Sequence, residues 1–138
     1  MSQQMSSILP LLPTLREFIC TYQIEAMASN CRGEEASFFI DKFHEIHKTV
    51  TEMPVTYGQD GKGDQAIAYL HYFSSGYDWY ITEKDSVVGE PQCQAFGLVN
   101  MHCTEIGYIS IEELIENRVE LDLHFTPKTL GEIKLEKR

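Results

Sequence analysis

Near residue 65 the apolar residues of this chain change their spacing, and that change limits the folds open to it. Before it, Leu15, Phe18, Ile19, Tyr22 and Ala26, then Phe39, Phe43, Ile46 and Val50, recur at intervals that gather side chains on one helix face. After it, the runs 66–73, 79–82, 94–100 and 105–109 read as strands separated by turn-forming clusters. Helices followed by strands predict an α+β domain: an antiparallel sheet of three to five strands, an N-terminal helical pair, and a capped helix after the fourth strand. At 138 residues the chain has room for one core, so a single domain over 1–138 is expected.

Residues 1–12 carry Ser, Gln and Pro without a period and read as a loose arm. Thr14 and Glu17 are spaced as a capping box, which starts the first helix; Ser29-Asn-Cys-Arg-Gly33 ends it. The second helix is expected from about Glu34 to Val50, with Pro54 on its far side, so the helical pair occupies 14–50. Residues 66–73 are apolar in both alternations, as in a central strand covered on both sides. Ser74-Ser-Gly-Tyr77 supplies a hairpin turn, and Ser110 with Glu113 caps the helix after residue 109. Leu121, Leu123 and Phe125 alternate with Glu120, Asp122 and His124, predicting a further strand over 119–125. Thr126-Pro127 then opens a last short turn, proline suiting a first helical position.

The net charge is −10, and it is concentrated. Between Gly58 and Asp122 only Lys62, Lys84 and Arg118 face twelve carboxylates, a local balance of −9. Such a field repels phosphate backbones and argues against direct nucleic-acid binding, because that affinity depends on Lys and Arg releasing counterions. It favours a basic protein partner, including one that itself holds nucleic acid; on the plainer view, it keeps a small protein in solution. Cys20, Cys31, Cys93 and Cys103 are widely spaced and form no C-x-x-C pair, so reduced thiols in a cytoplasmic protein are expected. The Ile8-Leu-Pro-Leu-Leu12 run is too short and proline-broken for a membrane segment.

No complete catalytic motif accompanies this pattern, and neither a metal nor a cofactor is expected. His44-Glu-Ile-His47 has its histidines three apart, whereas a zinc-protease helix needs four, and no third ligand is identifiable. The Gly58–Asp64 loop places Gly61-Lys62 too soon after Gly58 for a phosphate cradle, and Lys62 falls where a calcium loop needs an oxygen. It reads instead as a turn-rich connector whose glycines allow positive φ. Beside it, Tyr57, Asp60, Asp64, Asp78, Trp79, Tyr80, Glu83 and Asp85 form the candidate partner-binding set, an aromatic and acidic surface for protein recognition. Trp79 is equally suited to a core position.

Five blocks in order, Met53-Pro-Val-Thr-Tyr-Gly-Gln-Asp60, the Tyr-Phe-turn-Asp-Trp-Tyr pattern ending in Tyr80, Ala95-Phe-Gly97, Glu105-Ile-Gly-Tyr-Ile-Ser110 and Glu120-Leu-Asp-Leu-His-Phe-Thr-Pro127, carry a resemblance. Over residues 53–133 the chain resembles an uncharacterised family of small proteins encoded by bacterial phages, plasmids and conjugative elements. The resemblance implies a mobile-element accessory protein and brings no catalytic residues. Two departures stand out: Glu116-Asn-Arg-Val119 crosses directly where relatives carry a longer segment, and residues 14–50 lie outside the shared pattern.

The leading expectation is therefore a non-enzymatic, acidic accessory factor. It would occupy a basic surface of a host defence or nucleic-acid-processing complex, such as a CRISPR or restriction system. The alternative is a small hydrolase or ligand-binding enzyme using Asp78, Glu83 or His71 in a cleft beneath the Gly58–Asp64 loop, with that loop as a lid. A homo-oligomer is a third possibility.

Overall fold

The computed structural model describes residues 3–87 and 89–136. Among these, β2 (Leu70–Ser74), β3 (Tyr77–Glu83), β4 (Ala95–Asn100), β5 (Thr104–Ile109) and β6 (Glu120–Leu121) form a five-stranded antiparallel sheet in the order β5-β4-β3-β2-β6. The β2–β3 hairpin turns through Ser75 and Gly76 at φ 50° and 86°. Two successive positive φ values are what a two-residue hairpin of matching twist requires. From the β5 edge the chain crosses one face of the sheet as α5 (Ile111–Glu116) and returns at the opposite edge as β6. Ser110 Oγ accepts the Glu113 N–H, the cap expected from the sequence.

Strand alternation divides the sheet into two faces. Leu70, Tyr72, Ile81, Ala95, Ile109 and Leu121 point into the main core, where they meet Leu15, Phe18, Ile19, Met27, Phe43 and Val50 of the N-terminal helical layer. That layer consists of α1 (Gln3–Ile8), α2 (Leu12–Leu15), α3 (Thr21–Ser29) and α4 (Ala36–Glu52). Polar bonds fix its position on the sheet. Tyr72, fully buried, donates its hydroxyl to the Phe18 carbonyl at 2.6 Å. The buried Gln23 amide gives its N–H to the Leu121 carbonyl and accepts the Leu121 N–H, at 2.7 and 2.9 Å, pairing the short β6 edge as a strand would. Lys84 donates to the carbonyls of Val50 and Thr51 at the end of α4.

The second face is covered over part of its area. β1 (Ile67–Ala68) pairs with β7 (Lys128–Thr129), and α6 (Leu130–Glu136) follows directly. Ala66, Ala68, Leu130 and Ile133 from this unit pack on Tyr80 and Leu98 of the sheet.

Several local expectations are corrected. Positions 1 and 2 of the expected loose arm lie outside the described residues; residues 3–15 are successive helical turns that bury Ile8 and Leu15. The expected first helix is broken between Arg16 and Cys20 and restarts at Thr21. The break changes the helical phase, so Tyr22 and Ala26 are exposed while Gln23, Ile24 and Met27 are buried. It also leaves the Phe18 carbonyl open to Tyr72. The strand expected over 66–73 is divided at Tyr69, and the one expected over 119–125 stops at Leu121. There the Asp122 carboxylate accepts the His124 N–H at 2.9 Å, a side-chain turn that competes with extended pairing. The last helix starts at Leu130, not at Pro127, with Thr129 Oγ1 accepting the Glu132 N–H.

At Gly97 the β3 backbone comes close to β4. A Cβ built there lies 1.9 Å from the Tyr80 carbonyl oxygen, a backbone atom that cannot rotate aside. Gly97→Ala is expected to lower stability by about 3 kcal/mol, read from chemical denaturation, since the two strands must separate to admit the methyl group. An unchanged denaturation midpoint would contradict this packing.

Candidate functional site

β3 contains a bulge between Ile81 and Glu83. Strict alternation from Trp79 and Ile81 would send residue 83 into the apolar helix-facing core. The inserted residue reverses this, pairing Glu83 with Phe96 and turning it to the second face. There Glu83 and Thr82 line a cavity of about 240 Å³, roofed by the loop after Pro54 and walled by Phe96, Ile106 and Leu130.

The loop is fastened to its surroundings by side-chain bonds. Gln59, itself buried, donates to the carbonyls of Ile67 and Thr82 at 2.8 and 2.9 Å and accepts the Ile67 N–H at 2.7 Å. Thr56 Oγ1 lies 2.9 Å from the Gln94 carbonyl and 3.1 Å from that of Lys84. The loop expected as a glycine-hinged lid is held in this position by that clamp. Gly61 and Gly63 do take positive φ, as a turn-rich connector needs, but Tyr57 also stands at φ 76°. A non-glycine residue in that region is held by its surroundings, and such residues concentrate at ligand sites. A hydrogen bond joins the Tyr57 and Tyr108 hydroxyls, 2.7 Å apart. Tyr108 is pushed above the ordinary tyrosine range by that bond first, then by desolvation and by the charge of Tyr57.

Glu83 is 4% exposed. Its carboxylate accepts the Gln59 N–H at 3.4 Å and the Thr82 hydroxyl. Both donors are neutral. Among the described residues no Lys, Arg or His forms an ion pair with it. The adjacent Lys84 directs its ammonium to α4, and burial there lowers its pKa, opposed in part by Glu17.

Farther along the same face, His71 sits between two carboxylates, with Nε2 2.7 Å from Asp78 and Nδ1 2.9 Å from Asp122. Its ring stacks on Tyr80 at 4.4 Å between centroids, with Phe73 and Phe125 alongside. Both ring nitrogens are engaged by carboxylates in this arrangement.

The candidate partner-binding set is therefore divided. Tyr57, Asp60 and Asp64 are exposed, although Asp64 is bonded to Lys134 at 2.6 Å. Tyr80 and Glu83, expected on an exposed surface, are buried. Trp79 packs half-buried against the main core on the opposite face from Tyr80. Asp78 belongs to the His71 cluster, and Asp85 accepts the Val87 and Gln94 amides. The cavity gathers Tyr57 with Glu83 but not Asp78 or His71. Gln59, Phe96, Ile106 and Tyr108 were missed as site residues; the sequence signal for the last two was their alternation along an expected strand.

All four cysteines are free thiols. Among the described residues no group of three or more His, Cys, Asp or Glu side chains is placed to hold a metal, and His44 Nε2 lies 2.9 Å from Ser7 Oγ. No helix among them is long and apolar enough to cross a membrane. Cys93 is exposed, yet its pKa is pushed up to about 11 because its Sγ–H bonds to Glu112 at 2.9 Å, with desolvation and neighbouring carboxylates adding to this.

Gln59→Ala is expected to release the loop, with faster amide hydrogen exchange at residues 56–65 and a loss of about 1–3 kcal/mol of stability. Unchanged exchange would show that the clamp is dispensable. Glu112→Gln is expected to accelerate alkylation of Cys93 at pH 8 about tenfold or more, because the thiolate is the reacting species and its formation beside Glu112 is opposed. Equal rates in the two proteins would refute that assignment. No protein-family model, curated protein sequence or solved structure matches this chain.

Proposed function

We propose that the chain is a non-enzymatic module that binds a basic protein along the free edge of β5. The carrying observation is that edge. Among the described residues β5 pairs with β4 alone, its six residues are mostly exposed, and Ile106 and Tyr108 project beside Tyr57 at the cavity. An unpaired strand edge is a template for an extended segment of another chain, and native proteins otherwise blunt or cover it. The local balance of −9 over 58–122 supports a basic occupant and gives it electrostatic steering. The sequence resemblance supports a mobile-element setting, in which such a module occupies a surface that a defence or nucleic-acid-processing complex uses to hold nucleic acid.

A second reading, a small ligand-binding enzyme, is favoured by the cavity and its buried Glu83. It has less support than the edge. His71 and Asp78, the other groups it called on, lie outside the cavity lining and are bonded to each other.

The protein-binding reading is tested by affinity purification of the tagged chain from bacterial cells carrying such elements, with the paired substitution Ile106→Lys/Tyr108→Lys as comparison. A basic protein is expected in the wild-type eluate, absent from the variant, with association slowing as salt rises. A self-associating chain whose dimer is broken by the same substitutions would replace the basic partner with a second copy. Salt-independent retention, equal for both proteins, would remove the proposal.

A further inference from the structure

We infer that the Glu83 cavity receives the side chain of one arginine supplied by the protein that docks on β5. This inference rests on the protein-binding reading for the source of the arginine, but the pocket chemistry stands on separate observations. Glu83 is a buried carboxylate with two neutral donors and no ion-pair partner among the described residues. The two donors supply hydrogen bonds but no counter-charge, and a cation entering the cavity would supply one. Asp60, which is exposed, adds a second acidic residue to the lining of the same cavity.

The walls select among cations. Phe96, Ile106, Tyr57 and Leu130 present mostly apolar and aromatic surface. An ammonium holds its water strongly and would meet few replacements for it there. A guanidinium is more weakly hydrated, stacks on aromatic rings, and matches a carboxylate with two parallel N–H bonds. The cavity of about 240 Å³ has the capacity for a side chain of that size with its methylene stem. Position strengthens the assignment. Ile106 belongs both to the cavity wall and to the β5 edge, so a strand added at that edge carries alternate side chains past the opening.

The test is an NMR titration of the full chain with Nα-acetyl-arginine methylamide, the corresponding lysine amide, and the corresponding citrulline amide, which is nearly isosteric with arginine but neutral. Saturable shifts are expected at residues 56–61, 82–83, 96 and 106 with the arginine probe, and at least tenfold weaker binding with citrulline. Glu83→Gln is expected to weaken the arginine probe at least tenfold. Should that variant misfold, Ile106→Trp, a substitution at an exposed position on the cavity wall, is expected to block the probe while leaving shifts elsewhere unchanged. Binding of lysine as tight as arginine, citrulline as tight as arginine, or arginine unaffected by both substitutions would overturn the inference. Its failure is distinguishable from failure of the protein-binding reading. A basic partner retained equally by wild type and Glu83→Gln but lost with Ile106→Lys/Tyr108→Lys would overturn the arginine pocket alone, whereas probe binding without any retained partner would overturn the docking alone.

Discussion

One inserted residue in β3 determines the chemistry of the second face. Along Trp79 and Ile81 the strand alternates into the helix-packed core, and a regular continuation would drive the Glu83 carboxylate into apolar surroundings. The bulge turns it to the cavity instead. Gly97 lies opposite this distortion and admits the β3 backbone where a methyl group would collide with it. The loop clamp depends on the same region, because Gln59 reaches the Thr82 carbonyl within the bulge and Ile67 beside it.

The two faces of the sheet consequently do different work. The helix-facing side is closed by close-packed residues and by buried polar bonds from Tyr72 and Gln23, which resist sliding because each lost bond would leave a desolvated group behind. The second side is covered at its centre by α6 and the β1–β7 pair. At one end it presents the His71 cluster, at the other the tyrosine-rimmed cavity and the β5 edge. A site built on strands braced from behind keeps its geometry better than one carried by loops alone.

The acidic run of the sequence is not one surface. Asp78 and Asp122 are spent on His71, Asp64 on Lys134, Asp85 on loop amides and Glu112 on the Cys93 thiol. Glu83 differs because it is buried against neutral donors only. Charge counted along the chain therefore describes the long-range field, which is a sum, and says little about which carboxylate meets a partner, which depends on local pairing.

The sequence by itself determined the passage from helices to antiparallel strands, the Ser75-Gly76 hairpin, the Ser110 cap and the concentration of negative charge, because each arises from residues close together in the chain. Periodicity also located α4 and its buried Phe43, Ile46 and Val50. It misplaced the first helix, since no local signal marks the break that lets the Phe18 carbonyl meet Tyr72, a residue 54 positions away. Tertiary structure alone decided that Asp122 faces His71, that Glu83 turns into a cavity, and that Trp79 turns to the main core and Tyr80 to the second face. These outcomes depend on a bulge, on strand order and on a side-chain clamp across the fold. Such features are fixed by the packing of distant segments, where the free energy of burial outweighs the local preference of any single stretch.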